Sequence, residues 1–123
     1  EYANQTRFPL AAAIRVMDSF EKWEGLTVDQ TGFIVILTRG HVFDKTVLAK
    51  ALRTPAAYVG MIGSRRKRDK IYQALREEGF SQRDIDRVHS PIGLDIGAET
   101  PAELAVSIVG ELIKVRAAQD SCR

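Results

Sequence analysis

The chain has 123 residues, of which 45% are hydrophobic and 28% charged, and its formal net charge is +2. That balance fits one soluble domain with a modest core, and no apolar run approaches the roughly 20 residues that a membrane-spanning helix needs. The opening EYANQTRFP lacks the charged-then-apolar order of a signal peptide, so the expected place is the cytoplasm, with no membrane partner.

A chain that opens on Glu1 reads as part of a longer parent. Pro9 is expected to start a helix to about Trp23, with Leu10, Ile14, Val16, Met17 and Phe20 as its apolar positions. The run Phe33 to Leu37 is apolar and β-branched, and predicts a strand buried on both faces, as in a parallel sheet. Thr38-Arg39-Gly40-His41 forms the loop at its end. Asp44 is placed to N-cap a helix carrying Val47, Leu48, Ala51 and Leu52, and Thr54-Pro55 stops it.

Ala57 to Ile62 predicts a second buried strand. Ser64 caps the next helix, with Ile71, Ala74 and Leu75 as its stripe and Gly79 as its terminator. Ser81 to Asp84 resembles a capping box that opens a short helix to about Val88. Ser90 to Ala98 holds at most a short strand. Thr100-Pro101-Ala102-Glu103 is a full capping box with proline first in the helix. Leu104, Ile108, Val109, Leu112, Ile113 and Val115 then predict a helix buried over a broad face.

Buried strands alternating with helices predict an α/β, Rossmann-like three-layer domain with a mostly parallel sheet, over residues 1–118, and a polar tail at 119–123. Two or three strands make a thin sheet, so further strands are expected upstream. The one cysteine, Cys122, lies in that tail, so no internal disulfide forms, which fits a reducing compartment.

Charge is concentrated. Residues 65–70, RRKRDK, hold five basic groups and one acid, while the other 117 residues hold 13 basic and 15 acidic groups. Duplex binding spreads its contacts along a stripe; a compact cluster suits one small anion, so nucleic acid is not an expected partner. Ligands of open parallel sheets bind beyond the carboxyl ends of the strands. Three glycine-containing loops fall there: TRGH, GSRRKR and GLDIGA. Gly60 and Gly63 permit close approach, and Ser64 with the first free N–H groups of its helix points at the strand tip. Arg65, Arg66 and Lys67 add charge-assisted bonds to an anion there; the other reading is a solvated basic turn.

His41 reads as a proton carrier or as a loop residue with a local hydrogen bond, and Asp95 as a ligand contact or a loop anchor. His89 has no partner visible in the sequence. Neither phosphate fingerprint, GxxxxGK[ST] or GxGxxG, occurs. There is no zinc set and no nucleophile–histidine arrangement. The residues describe a ligand-binding module better than a self-contained enzyme.

EYANQTRFP, the TRGH loop, YVGMIGSRRK and HSPIGLDIGAETPAELAVSI together resemble the C-terminal Rossmann-type domain of the XdhC/CoxI family, over nearly the whole chain. The resemblance implies an accessory factor that binds molybdenum cofactor, a phosphorylated pterin sometimes linked to a nucleotide. It also implies help with sulfuration and insertion into apo molybdenum hydroxylases of the xanthine dehydrogenase type, with a cysteine desulfurase as a second partner. On the matched motifs, Gly60, Gly63, Ser64, Arg65, Arg66 and Lys67, then Thr38, His41 and Asp44, then Gly93, Asp95 and Gly97 are expected to contact cofactor. The family's glycine-rich GGGH-like turn, the acidic residue after it and its cysteine-bearing N-terminal domain have no match here. Half of a nucleotide site is therefore missing from this stretch, and a homodimer that exchanges elements is one expected remedy. The other readings are an NAD(P)-binding oxidoreductase domain and a protein-interaction domain whose basic turn docks on an acidic partner.

Overall fold

The computed structural model describes residues 4–15, 27–38 and 43–121. Its elements are β1 (Phe33–Ile36), α1 (Asp44–Leu52), β2 (Tyr58–Met61), α2 (Arg65–Glu77), α3 (Gln82–Asp86), β3 (Val88–His89) and α4 (Pro101–Ser121). The strands form one parallel sheet in the order β1-β2-β3. Phe33 pairs with Tyr58 and Ile36 with Met61, and Gly60 pairs with His89. This is the expected α/β architecture.

Strand alternation divides β2 between two layers. Val59 and Met61 face the core with Leu48, Leu52, Ile71 and Leu75 of α1 and α2. Each such side chain, fully buried, contributes about 1.5–3 kcal/mol. Tyr58 and Gly60 face the other side, where Ile92 and Glu111 lie. β1 begins after a local turn, in which Asp29 Oδ1 accepts from the Thr31 amide at 2.8 Å and its hydroxyl at 2.6 Å.

The helix starts follow local chemistry. The Ser64 hydroxyl accepts from the Lys67 N–H at 3.1 Å. Ser81 and Asp84 form a reciprocal capping box. The Thr100 hydroxyl accepts from the Glu103 N–H at 3.1 Å, while the Glu103 carboxylate reaches one residue further back, to the Glu99 N–H at 2.9 Å. Gly79 leaves α2 with φ +99°.

Four expectations need correction. Residues 9–15 form turns and coil rather than the start of a helix, and the rest of that expected helix, from Val16 to Trp23, lies outside the described residues. Asp44 is not an N-cap: Phe43 occupies that position without a side-chain bond, and Asp44 is the first helical residue, fully buried. The third strand is Val88–His89, not a segment of 90–98. Arg87 explains this placement. Its guanidinium donates to the carbonyls of Leu52 at 3.0 Å, Thr54 at 3.1 Å and Ala56 at 3.0 Å. The clamp satisfies the open end of α1 and lays the next two residues along β2.

The fourth concerns α4, which runs on to Ser121, so residues 119–121 are its last turn. Among its residues of described burial only Ser107 is fully buried; Val106, Val109 and Ile113 are 64%, 51% and 49% exposed. The helix meets the rest of the domain along a stripe of partly buried positions that includes Leu104, Ile108, Glu111, Leu112 and Val115. There Gly110 admits Leu94, and the Ser107 hydroxyl donates to the Leu94 carbonyl at 2.6 Å. Apolar positions off that stripe have no cover among the described residues.

Candidate functional site

The carboxyl ends of β1 and β2 converge on a buried charge pair. Thr38, just past β1, donates its hydroxyl to Asp44 Oδ1. Asp44 Oδ2 meets the Lys67 ammonium, and the two side chains are 0% and 11% exposed. The Lys67 stem crosses Gly63 on its way: a Cβ added at Gly63 would lie 3.2 Å from Lys67 Cδ. Gly63 also has φ +148°, a conformation that disfavours side chains. Thr38, Asp44, Gly63, Ser64 and Lys67 are thus one unit that fixes the first turn of α2 against the first turn of α1.

Three of the four remaining cations of the turn face outward. Arg65, Arg66 and Lys70 are exposed or half-exposed and have no ion-pair partner among the described residues. Beside them is a cavity of about 430 Å³ lined by Lys45, Ser64, Arg66, Lys67, Lys70, Ile71 and Ala74. Lys45 is paired with Glu78 at 3.0 Å. Arg68 turns inward and donates to the Ser90 carbonyl at 3.0 Å, which ties the basic turn to the end of β3.

The other expected residues are distributed differently. Gly60 does lie where close approach occurs, but the approaching groups are the Tyr58 ring and Ile92. Gly93, with φ +98°, packs on Ser107. Asp95 and Gly97 lie exposed on the loop after β3, outside the buried pair and the cavity. His41 lies outside the described residues. Among the described residues no cluster of three or more His, Cys, Asp or Glu side chains could hold a metal ion, and no helix is long and apolar enough to cross a membrane.

A second polar cluster escapes sequence reasoning. The Tyr58 hydroxyl donates to Glu111 Oε1 at 2.6 Å, and the Gly93 N–H donates to the same oxygen at 3.3 Å. His89 Nδ1 stands 3.6 Å from it. The ring of Tyr58 stacks on His89 at 4.6 Å and on Phe33 at 5.5 Å, so three aromatic rings cross three strands. Burial, then the hydrogen bond and charge of Glu111, hold the Tyr58 phenol well above its ordinary pKa of 10.0 and keep it a donor. The available signal was Glu111 itself, a carboxylate in the apolar run IVGELI.

Residues 1–112 match the model of the XdhC Rossmann domain. The chain belongs to the XdhC family. The uncharacterized protein YqeB of Escherichia coli K12 is 35% identical over 117 residues, or 94% of this chain and 21% of its own length. The molybdenum cofactor insertion chaperone PaoD of the same organism is 28% identical, over 96% of this chain and 39% of its own. A solved Bacillus halodurans protein described as a xanthine dehydrogenase superposes with a TM-score of 0.82 at 26% identity, covering 98% of this chain and 35% of its own. This XdhC domain therefore spans between about a fifth and two fifths of the length of these relatives. The expected family and the Rossmann-type fold both hold.

Proposed function

We propose that this domain holds the phosphorylated pterin of the molybdenum cofactor during its delivery to a molybdenum hydroxylase of the xanthine dehydrogenase type. The observation that carries the reading is the cationic cavity at the start of α2, where Arg66 and Lys70 have no partner among the described residues. A phosphate monoester carries about 1.5–2 negative charges near neutral pH. Arg65, Arg66, Lys70 and the free N–H groups of the first turn of α2 are suited to hold it. Lys67 is committed to Asp44, so its part is to set the turn rather than to supply free charge. Asp95, exposed between Gly93 and Gly97, offers a carboxylate to the amino edge of the pterin, and His41 stands in the neighbouring loop of the sequence.

In this reading the cofactor supplies the molybdenum chemistry and the protein supplies charge, shape and exclusion of water. Support for the cofactor comes from PaoD, whose name states molybdenum cofactor insertion. Sulfuration on this protein and contact with a desulfurase belong to the same proposal. The test is amide hydrogen exchange of the full chain with 6-hydroxymethylpterin phosphate. The amides of Ser64 to Lys70 become protected, and Arg66→Ala together with Lys70→Ala weakens binding at least about ten-fold, since a hydrogen bond to a charged group contributes about 1.5–3 kcal/mol. Unchanged exchange at saturating pterin phosphate, or protection by NAD(P) alone, refutes the proposal.

A further inference from the structure

β1 is an outer strand of the sheet, which has the order β1-β2-β3. The Gly32 and Ile36 carbonyls accept from the Ala57 and Ile62 N–H groups at 2.8 and 3.1 Å, so the even-numbered residues turn their main chain toward β2. Alternation then points the N–H and C=O groups of Phe33, Val35 and Leu37 at the free edge, where no described residue bonds them. Edges of this kind are ordinarily blunted by a lysine, a proline or a bulge. The run Phe33 to Leu37 has no charge and no proline, and its pairing with β2 is continuous, without a bulge.

The side chains of the same three residues lie on the α4 face, since Ile34 and Ile36 face the core. Val35 is 37% and Leu37 60% exposed. Beside Phe33 is a cavity of about 480 Å³, lined also by Thr31, Val109, Leu112, Ile113 and Arg116. Read backwards, Phe33-Ile34-Val35-Ile36-Leu37 keeps its pattern: valine at the centre, isoleucine on both sides and a large apolar residue at each end. A strand with that symmetry is self-complementary in antiparallel pairing about a two-fold axis at Val35. Phe33 of one chain then stands opposite Leu37 of the other. The charges at the ends agree with this: Asp29 precedes β1 and Arg39 follows it in the sequence, so antiparallel pairing brings unlike ends together.

We propose that β1 is a dimerisation edge, through which two copies of this chain join their sheets into one, with Val35 opposite the partner's Val35 and Leu37 of each copy entering the cavity beside the partner's Phe33. Phe33, Val35 and Leu37 each exchange both main-chain bonds with the residue opposed to them. The contact covers Val35 and Leu37 and fills the apolar space under Val109 and Ile113. It is independent of any ligand at the basic turn.

The test is analytical ultracentrifugation of the full chain from micromolar to millimolar concentration, with amide hydrogen exchange at β1. The parent sediments as a dimer, and its Phe33 and Val35 amides are protected as well as those of Ile34 and Ile36, which bond to β2. Val35→Lys sets two like charges opposite each other and weakens association at least about ten-fold. Val35→Glu alone does the same, and an equimolar mixture of the two restores the dimer because unlike charges then meet. Should the Val35 variants not fold, Leu37→Lys, at a position already mostly exposed, weakens association without altering the circular dichroism. A monomer at every concentration overturns the inference. So does a dimer that Val35→Lys and Leu37→Lys leave intact, or one in which the Phe33 and Val35 amides exchange freely.

Discussion

Gly60→Ala tests how the two faces of the sheet are linked. A Cβ at Gly60 would lie 2.4 Å from the Tyr58 hydroxyl, 2.6 Å from its Cε1 and 2.7 Å from Ile92 Cδ1. Comfortable contacts lie at about 3.5–4.0 Å, so the ring must move by about 1 Å. Tyr58 is 1% exposed and stacked on both Phe33 and His89, which leaves no free direction. Overpacking of this kind costs about 1–3 kcal/mol. A ring displaced that far also loses its 2.6 Å bond to Glu111, a charge-assisted interaction contributing about 1.5–3 kcal/mol. The expected loss is about 3–5 kcal/mol, a large share of a small domain's stability. Urea denaturation followed by circular dichroism reads it as a midpoint lower by about 2 M. In a Tyr58→Phe background the hydrogen bond is already gone, so Gly60→Ala should cost only the steric part, about 1–3 kcal/mol. Equal cost in the two backgrounds, or a midpoint that does not move, refutes the linkage.

Lys67→Met should cost about 3–5 kcal/mol, because it strands Asp44 as a buried, uncompensated charge; adding Asp44→Asn should restore more than half, measured by the same denaturation. Arg87→Met removes three carbonyl bonds and should cost about 2–4 kcal/mol, with loss of hydrogen-exchange protection concentrated at β3 and the end of α1. The raised phenol of Tyr58 adds stability that is present below its ordinary pKa of 10.0 and is lost as pH rises above it, because the unfolded chain then holds fewer protons. Urea midpoints should fall more steeply above about pH 10 in the parent than in Tyr58→Phe, with a smaller residual slope from Tyr72, which burial also raises.

The serine caps were legible in the sequence because capping is local: Ser64 and Ser81 bond to amides within their own first turns. The two main strands were legible from continuous apolar runs, each found one residue longer at one or both ends than the paired segment. Asp44 misled because an acid before an apolar helix has the pattern of a cap, while its actual partners, Thr38 and Lys67, lie on other elements. β3 has two residues and no period of its own; pairing with Val59 and Gly60 and the Arg87 clamp define it. Of the expected site, the structure gathers Thr38, Asp44, Gly63, Ser64 and Lys67 with the basic turn. Tyr58 and Glu111 were not legible because they are 53 residues apart and meet only across the sheet.

α4 is attached mainly by directional bonds, from Ser107 to Leu94 and from Glu111 to Tyr58 and Gly93, while Val106, Val109 and Ile113 already face outward. Its inward apolar positions, Leu104, Ile108, Leu112 and Val115, are only partly buried, so its detachment would expose less new apolar surface than opening of the sheet core. Such an opening has a small heat-capacity change and a weak dependence on denaturant. In native-state hydrogen exchange α4 should therefore behave as a separate cooperative unit, opening at a nearly constant free energy in low denaturant while the sheet core weakens steadily. The helix that completes the Tyr58–Glu111–His89 cluster would then be released independently of the fold, and the imidazole would lose its orientation without any unfolding of the sheet.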